Sequence, residues 1–261
     1  MKVNTNPLVK ALELESPYMQ FLLSNREYAY AYYQSRSTIS RQQSFLHSLL
    51  QTYFPDGPPT RIADVACGGG WTSIQISQIF KLVSFDLFEL SSVALDACSA
   101  NIERLGLTNF NLFQDDIASP HYLVPDSYPL MVCMMTLCCV ERYEEFLTNM
   151  ANSLSKNGII ILSTLFNRDH PSVDLEVTQS ESGLGSKQYR IFCQNTFESI
   201  INLPGKKFSY SYHHFDMDIP LKKPTSGGTG TYTVELADSN YLEISGGALF
   251  QWSFIVITRL Q

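Results

Sequence analysis

From Arg61 to Thr164 short, uniformly apolar runs alternate with helical segments, and this rhythm limits the possible folds more than any other feature. Ile62–Ala66, Leu82–Asp86, Phe110–Phe113, Leu130–Met135 and Ile159–Thr164 read as strands. Trp71–Phe80, Ser91–Leu105 (stopped by Gly106) and Tyr143–Leu154 (ending near Gly158) read as helices. Strands that are apolar throughout, rather than at every second residue, are covered on both faces. Strand–helix alternation at this spacing builds βαβ units and so predicts an α/β fold with a doubly wound, mostly parallel, Rossmann-like sheet, here of seven strands.

The flanks differ from this core. Residues 7–54 carry apolar side chains at helical spacing, from Leu8 and Leu12 to Phe45, Leu46, Leu49, Leu50 and Phe54, broken by Pro17 and by Ser37-Thr38. The turn-forming Pro55-Asp56-Gly57-Pro58-Pro59 closes this helical preamble. Beyond Leu165 the polar stretch 166–190, with Pro171, Gly183 and Gly185, reads as a loop or lid. Ser209–Leu221 and Phe250–Thr258 read as strands, and Thr231–Leu236 with Tyr241–Ile244 as a hairpin, so the chain ends in antiparallel structure. No linker separates these parts. The expectation is a single domain, with a helical cap at 1–59, a core at 60–165, and a lid and closing strands at 166–261.

Charge narrows the choice of partner. Eighteen basic against twenty-five acidic residues give a net charge of −7, and the only close basic pairs, Lys206-Lys207 and Lys222-Lys223, stand alone. A negative body repels phosphate backbones and anionic lipid, which excludes nucleic acid and membrane surfaces as expected partners. The longest nearly uncharged apolar run, Leu130 to Val140, is too short to cross a bilayer, and the N-terminus lacks the apolar stretch of a signal peptide. The cysteines at 67, 98, 133, 138, 139 and 193 form no Cys-x-x-Cys pair and no Cys/His set at ligand spacing. They read as buried thiols of a reducing compartment rather than a metal site, and the chain as soluble and cytoplasmic. Nothing in the sequence fixes the oligomeric state.

Chemistry is concentrated in Thr60–Ser73, TRIADVACGGGWTS. A strand carries Asp64 near its end, small residues follow at Ala66, Gly68 and Gly70, and a helix then begins. Small residues let a ligand approach the backbone, and the exposed helix N–H groups favour a polar or anionic group there. Twenty-two residues after Asp64 the next strand, read as ending at Asp86, offers a carboxylate for two ribose hydroxyls. The third strand ends in FQDDI and brings Asp115 or Asp116 to the same crevice. A dinucleotide fits poorly. Counted from Gly68, Ser73 stands where the dinucleotide fingerprint needs its third glycine, and counted from Ala66 the bulky Trp71 stands there.

Asp64-x-Ala66-x-Gly68-x-Gly70 resembles the acidic-x-G-x-G-x-G motif of the class I S-adenosylmethionine (SAM) dependent methyltransferases, with alanine in the first small position. The resemblance runs on through Asp86, DDI at 115–117, YPLMVCMMTLCCVE at 128–141 and LSKNGIIILST at 154–164. It implies SAM as cofactor, with the Ala66–Gly70 loop under its methionine portion. It also implies Asp86 on the ribose, Leu87 on the adenine face, and Asp116 with the backbone N–H of Ile117 at the adenine edge. Met134 is expected to line the methionine side. The chain departs from the family at Pro129, where an aspartate is common, and at Cys138-Cys139, near which some members place histidines, so no catalytic group carries over from there.

Three further expectations concern the flanks. Among Tyr28, Tyr30, Tyr32 and Tyr33, the last two are expected to cap the cofactor, since aromatic faces attract a sulfonium cation, and Arg36 to hold its carboxylate. His213-His214 lies in an alternating strand, which ordinarily means a plain strand histidine; the sharper reading makes His213 a general base. Tyr33 and His213 are therefore the candidate catalytic side chains. Trp71 reads as a packing residue. The expected reaction is methyl transfer to oxygen, nitrogen or carbon of a small molecule. The competing readings are intramolecular cyclisation of SAM to azetidine-2-carboxylate and methylthioadenosine, or a SAM-binding module without chemistry.

Overall fold

The computed structural model describes residues 2–9, 11–12, 17–35, 40–167, 172–178, 186–201, 203–215, 232–235, 241–245, 248–249 and 251–260. Its centre is a mixed sheet of eight strands. In chain order these are β1 (Val3–Thr5), β2 (Arg61–Val65), β3 (Ser84–Glu89), β4 (Phe110–Gln114), β5 (Tyr128–Met134), β6 (Leu154–Phe166), β9 (Phe208–Phe215) and β13 (Gln251–Arg259). Across the sheet the order is β1-β4-β3-β2-β5-β6-β13-β9. The first six are parallel; β13 runs antiparallel to both β6 and β9.

Helices cover both faces. On one face α3 (Arg41–Tyr53), α4 (Trp71–Ile79) and α5 (Ser92–Arg104) pack Leu46, Leu50, Ile74, Ile76, Leu95 and Ile102 against Ile62, Phe85, Leu87, Leu130, Val132 and Ile161. On the other, α6 (Tyr143–Ser153) and α7 (Gln194–Ile200) pack Leu147, Met150 and Phe197 against Ala63, Val65, Phe88, Met131, Ile160 and Leu162. Burial on both sides explains why these strands are apolar throughout. Two helices precede this core, α1 (Pro17–Ser24) and α2 (Arg26–Ser35), and α3 starts at a capping box in which Ser40 and Gln43 exchange hydrogen bonds.

Four expectations are corrected. The sheet has eight strands rather than seven, because Val3–Thr5 pairs with Leu112–Gln114; three residues are too few to show a hydrophobic period. The second core strand is not Leu82–Asp86: Leu82 is 91% exposed, and β3 continues to Glu89 because β2 and β4 pair with it on both sides. Within the stretch read as a loop, β7 (Val173–Thr178) and β8 (Ser186–Ile191) form an antiparallel pair. Helix α7 was also not anticipated. The expected C-terminal hairpin is present as β10 (Tyr232–Glu235) and β11 (Tyr241–Ser245), with β12 (Ala248–Leu249) beside it. Among the described residues no helix is long and apolar enough to cross a membrane.

Candidate functional site

The loop from β2 to α4 gathers three residues of unusual backbone. Ala66, Gly68 and Gly70 have φ of 57°, 55° and 75°, the left-handed region that favours glycine. Space as well as torsion demands glycine at Gly70, where a Cβ would lie 2.5 Å from Cys98 Sγ. Ala66 adopts the same region at a steric cost that glycine avoids. Two anchors hold the loop from below. Cys67 N donates to Phe88 O at 3.1 Å, and Asn101 Nδ2 on α5 donates to Gly69 O at 2.9 Å.

Asp64 lies beneath the loop, 1% exposed, and accepts from Ser73 Oγ on α4 at 2.6 Å. It fixes the start of that helix and does not present itself to a ligand. Burial pushes its carboxyl up to about 7, the nearby Glu89 charge adds to this, and the Ser73 bond opposes it. The folded state thus holds the Asp64 proton more tightly than the unfolded chain, whose ordinary value is near 3.8. Its stabilising contribution is complete below about pH 4 and is lost as pH rises through about 7. Urea midpoints measured from pH 4 to 8 are expected to fall over this window in the wild type and to fall less in Asp64→Asn.

The carboxylate at the tip of β3 is Glu89, not Asp86. Glu89 Oε2 accepts from Gly68 N at 2.9 Å and Oε1 from Ser91 N at 3.0 Å, so it bridges the glycine loop and the start of α5. Asp86 sits three residues earlier, 1% exposed, and is consumed by the interior. It accepts from Arg61 Nε at 2.9 Å, Asn111 Nδ2 at 2.8 Å and Tyr128 Oη at 2.9 Å. The same shift moves Leu87, which is fully buried in the core, away from any adenine face; Leu90 takes the position after the terminal carboxylate. The sequence signal was the strand's length: continued to Phe88-Glu89, SFDLFE ends on the second acid.

Beyond β4 the two aspartates divide their tasks. Asp115, 1% exposed, accepts from Asn6 Nδ2 at 2.8 Å, His121 N at 2.9 Å and Tyr122 N at 2.8 Å, which makes it the hub of its loop. Asp116 accepts from Ala118 N at 3.0 Å and pairs with Arg142 at the start of α6. Ile117, next in the chain, is 4% exposed. At the end of β5 Met134 is partly buried, its Sδ 3.8 Å from Ser163 Oγ, while Met135 turns outward at φ 60°.

Helix α2 brings Tyr33 onto the glycine loop. A Cβ on Gly68 would lie 3.3 Å from Tyr33 Cε1, and one on Gly69 would lie 2.8 Å from Tyr33 O. Tyr32 stands beside it, 43% exposed, with its ring edge-on to Tyr33 at 5.4 Å. Arg36 lies outside the described residues. His213 stands level with Met134 across the sheet, in register through Phe254 and Ser163. It lies on the edge strand β9, three strand spacings (roughly 14 Å) from β5. There its Nε2 meets Tyr53 Oη at 3.0 Å, and burial, with His214 beside it, holds its pKa below the usual value. Burial also pushes the Cys67 and Cys133 thiols well above the usual range, so neither is a nucleophile at neutral pH. Among the described residues no cluster of three or more His, Cys, Asp or Glu is placed to hold a metal ion.

Residues 62–158 match the family model described as a methyltransferase domain. A ubiquinone biosynthesis O-methyltransferase of Rickettsia felis is 25% identical over 138 residues, 52% of this chain and 53% of the relative. The chain therefore spans about half the length of the curated relatives it matches. Among solved structures, a SAM-dependent methyltransferase of Aquifex aeolicus superposes with a TM-score of 0.53 at 11% identity, over 89% of this chain and 98% of the other. Coclaurine N-methyltransferase bound to N-methylheliamine and S-adenosylhomocysteine gives 0.52 at 14% identity, over 70% and 52%. At such identities the structural likeness is one of fold.

Proposed function

We infer, from the premise that residues 62–158 are a class I SAM-dependent methyltransferase domain, that this chain transfers the methyl group of SAM to a small-molecule acceptor. The cofactor is SAM. The observation that carries the reading is Glu89, a carboxylate at the tip of β3 bonded to Gly68 N of a left-handed glycine loop. A carboxylate accepts hydrogen bonds from hydroxyls as readily as from backbone N–H groups, which suits a pair of ribose hydroxyls. Gly68 and Gly69 let Tyr33 lie close over the loop, because a Cβ at either would crowd it. Asp116 and Ile117 follow β4, where the adenine edge is expected, and Leu90 follows Glu89, where its face is expected.

Bound SAM supplies a methyl group already activated by a sulfonium leaving group. The protein's work is then alignment and exclusion of water, to which Tyr33, Tyr32 and Met134 contribute as walls of the site. The acceptor is proposed to be a small molecule on two grounds: the acidic body disfavours nucleic acid, and coclaurine N-methyltransferase, on the same fold, is bound to N-methylheliamine. A base is required only where the acceptor must lose a proton first.

The test is turnover. Incubation with SAM and a panel of phenolic, amine and carbon-acid acceptors is expected to yield S-adenosylhomocysteine only when an acceptor is present. Methylthioadenosine from SAM alone would replace transfer with cyclisation, and tight SAM binding without turnover on any acceptor would leave a binding module.

A further inference from the structure

Helix α2 brings Tyr33 against the glycine loop. Among the described residues its satellite cluster holds Leu22, Ala29 and Val93 buried, with Met19 and Leu23 partly buried, apart from the two cores on the faces of the sheet. Its ties to α5 include an exposed ion pair between Arg26 and Asp96, and Gln34 Nε2 donating to Ala97 O at 3.3 Å. One contact is of another kind. Trp71, the first residue of α4 and 8% exposed, donates from its indole Nε1 to Tyr33 O at 2.7 Å. The bond joins the last turns of α2 to the residue that ends the glycine loop. At the same point the missing side chain of Gly69 lets the Tyr33 backbone settle, since a Cβ there would meet Tyr33 O at 2.8 Å.

We propose that Trp71 is a positioning residue, a latch whose indole N–H holds the Tyr33 carbonyl, keeps α2 docked over the glycine loop and thereby sets how long SAM stays bound. The proposal rests on the SAM reading of this site and adds a residue read from sequence as packing alone. Its chemistry is specific: an indole ring can be replaced by another aromatic without emptying the space, but only the N–H makes the bond. Glu89, Gly68, Tyr33 and Trp71 form a chain of contacts from the expected ribose ligand to the cap, so a bound nucleoside and a docked helix support each other.

The experiment compares wild type with Trp71→Phe, using SAM as the probe. Calorimetry gives affinity, stopped-flow displacement by S-adenosylhomocysteine gives the dissociation rate, and amide exchange compares residues 26–35 with 41–53. Trp71→Phe is expected to release SAM about tenfold faster, the scale of one buried hydrogen bond. With SAM bound, it is expected to lose exchange protection in 26–35 while 41–53 keeps it. Should Trp71→Phe fail to fold, Gly69→Ala retains the indole but pushes Tyr33 away, and the same two signatures are expected. An unchanged dissociation rate, or equal loss of protection in both helices, overturns the latch while leaving the SAM site intact. Absence of SAM binding by the wild type overturns both.

Discussion

Glu89→Ala is expected to lower SAM affinity by about a hundredfold or more while the chain stays folded. The loss follows from what the carboxylate does. Hydrogen bonds to a charged group are each worth about 1.5–3 kcal/mol, and two ribose hydroxyls would lose such an acceptor together. Gly68 N at 2.9 Å and Ser91 N at 3.0 Å would also lose it, so the glycine loop and the start of α5 are no longer tied through one side chain. Glu89→Gln separates these effects, since its single amide oxygen can keep one of the backbone bonds and should give a smaller loss. Calorimetric titration with SAM, beside urea unfolding without it, measures both. A Glu89→Ala protein that binds SAM as tightly as wild type would remove Glu89 from the site.

The layers of this fold were legible because their signals are local or periodic. Uniformly apolar strands, the stop at Gly106 and the small residues at 66, 68 and 70 each state their structure within a few positions. What failed was register. Leu82-Val83 looks like a strand start because both residues are apolar, yet pairing of Arg61 with Ser84 and of Glu89 with Gln114 moves the strand onward. A strand's end is fixed by its partners, which a single segment does not display. One misplaced boundary therefore moved the end of β3 from Asp86 to Glu89, the carboxylate proposed here for the ribose.

Long-range contacts explain the other losses. Nothing near Asp115 in the chain announces Asn6, 109 positions away, as its partner. Nothing near His213 announces Tyr53 across 160 positions. Trp71 and Tyr33 meet across 38 positions, through a backbone carbonyl that every residue possesses, so no side-chain pattern marked the contact. Tyr33, chosen as a cap by asking which side chains suit a sulfonium, lies against the glycine loop.

Asp86→Ala is expected to destabilise the fold by about 3 kcal/mol and to leave the SAM affinity of the folded fraction nearly unchanged, the reverse of Glu89→Ala. Removing one member of a buried charged network costs roughly 3–5 kcal/mol, because its partners are left without an acceptor. Here these are Arg61 from β2, Asn111 from β4 and Tyr128 from β5, so the carboxylate joins four neighbouring strands through its own β3. The lower end of the range applies because the Arg61 side chain is 46% exposed and can turn to water. Tyr128 cannot: it is 1% exposed, and its hydroxyl would be stranded. Asp86→Asn keeps an oxygen for one or two of these donors and should lose less. Urea midpoints for the two variants, together with SAM titration at low denaturant, decide the matter. A loss of SAM affinity in Asp86→Ala without a loss of stability would return the ribose contact to Asp86 and contradict the register of β3.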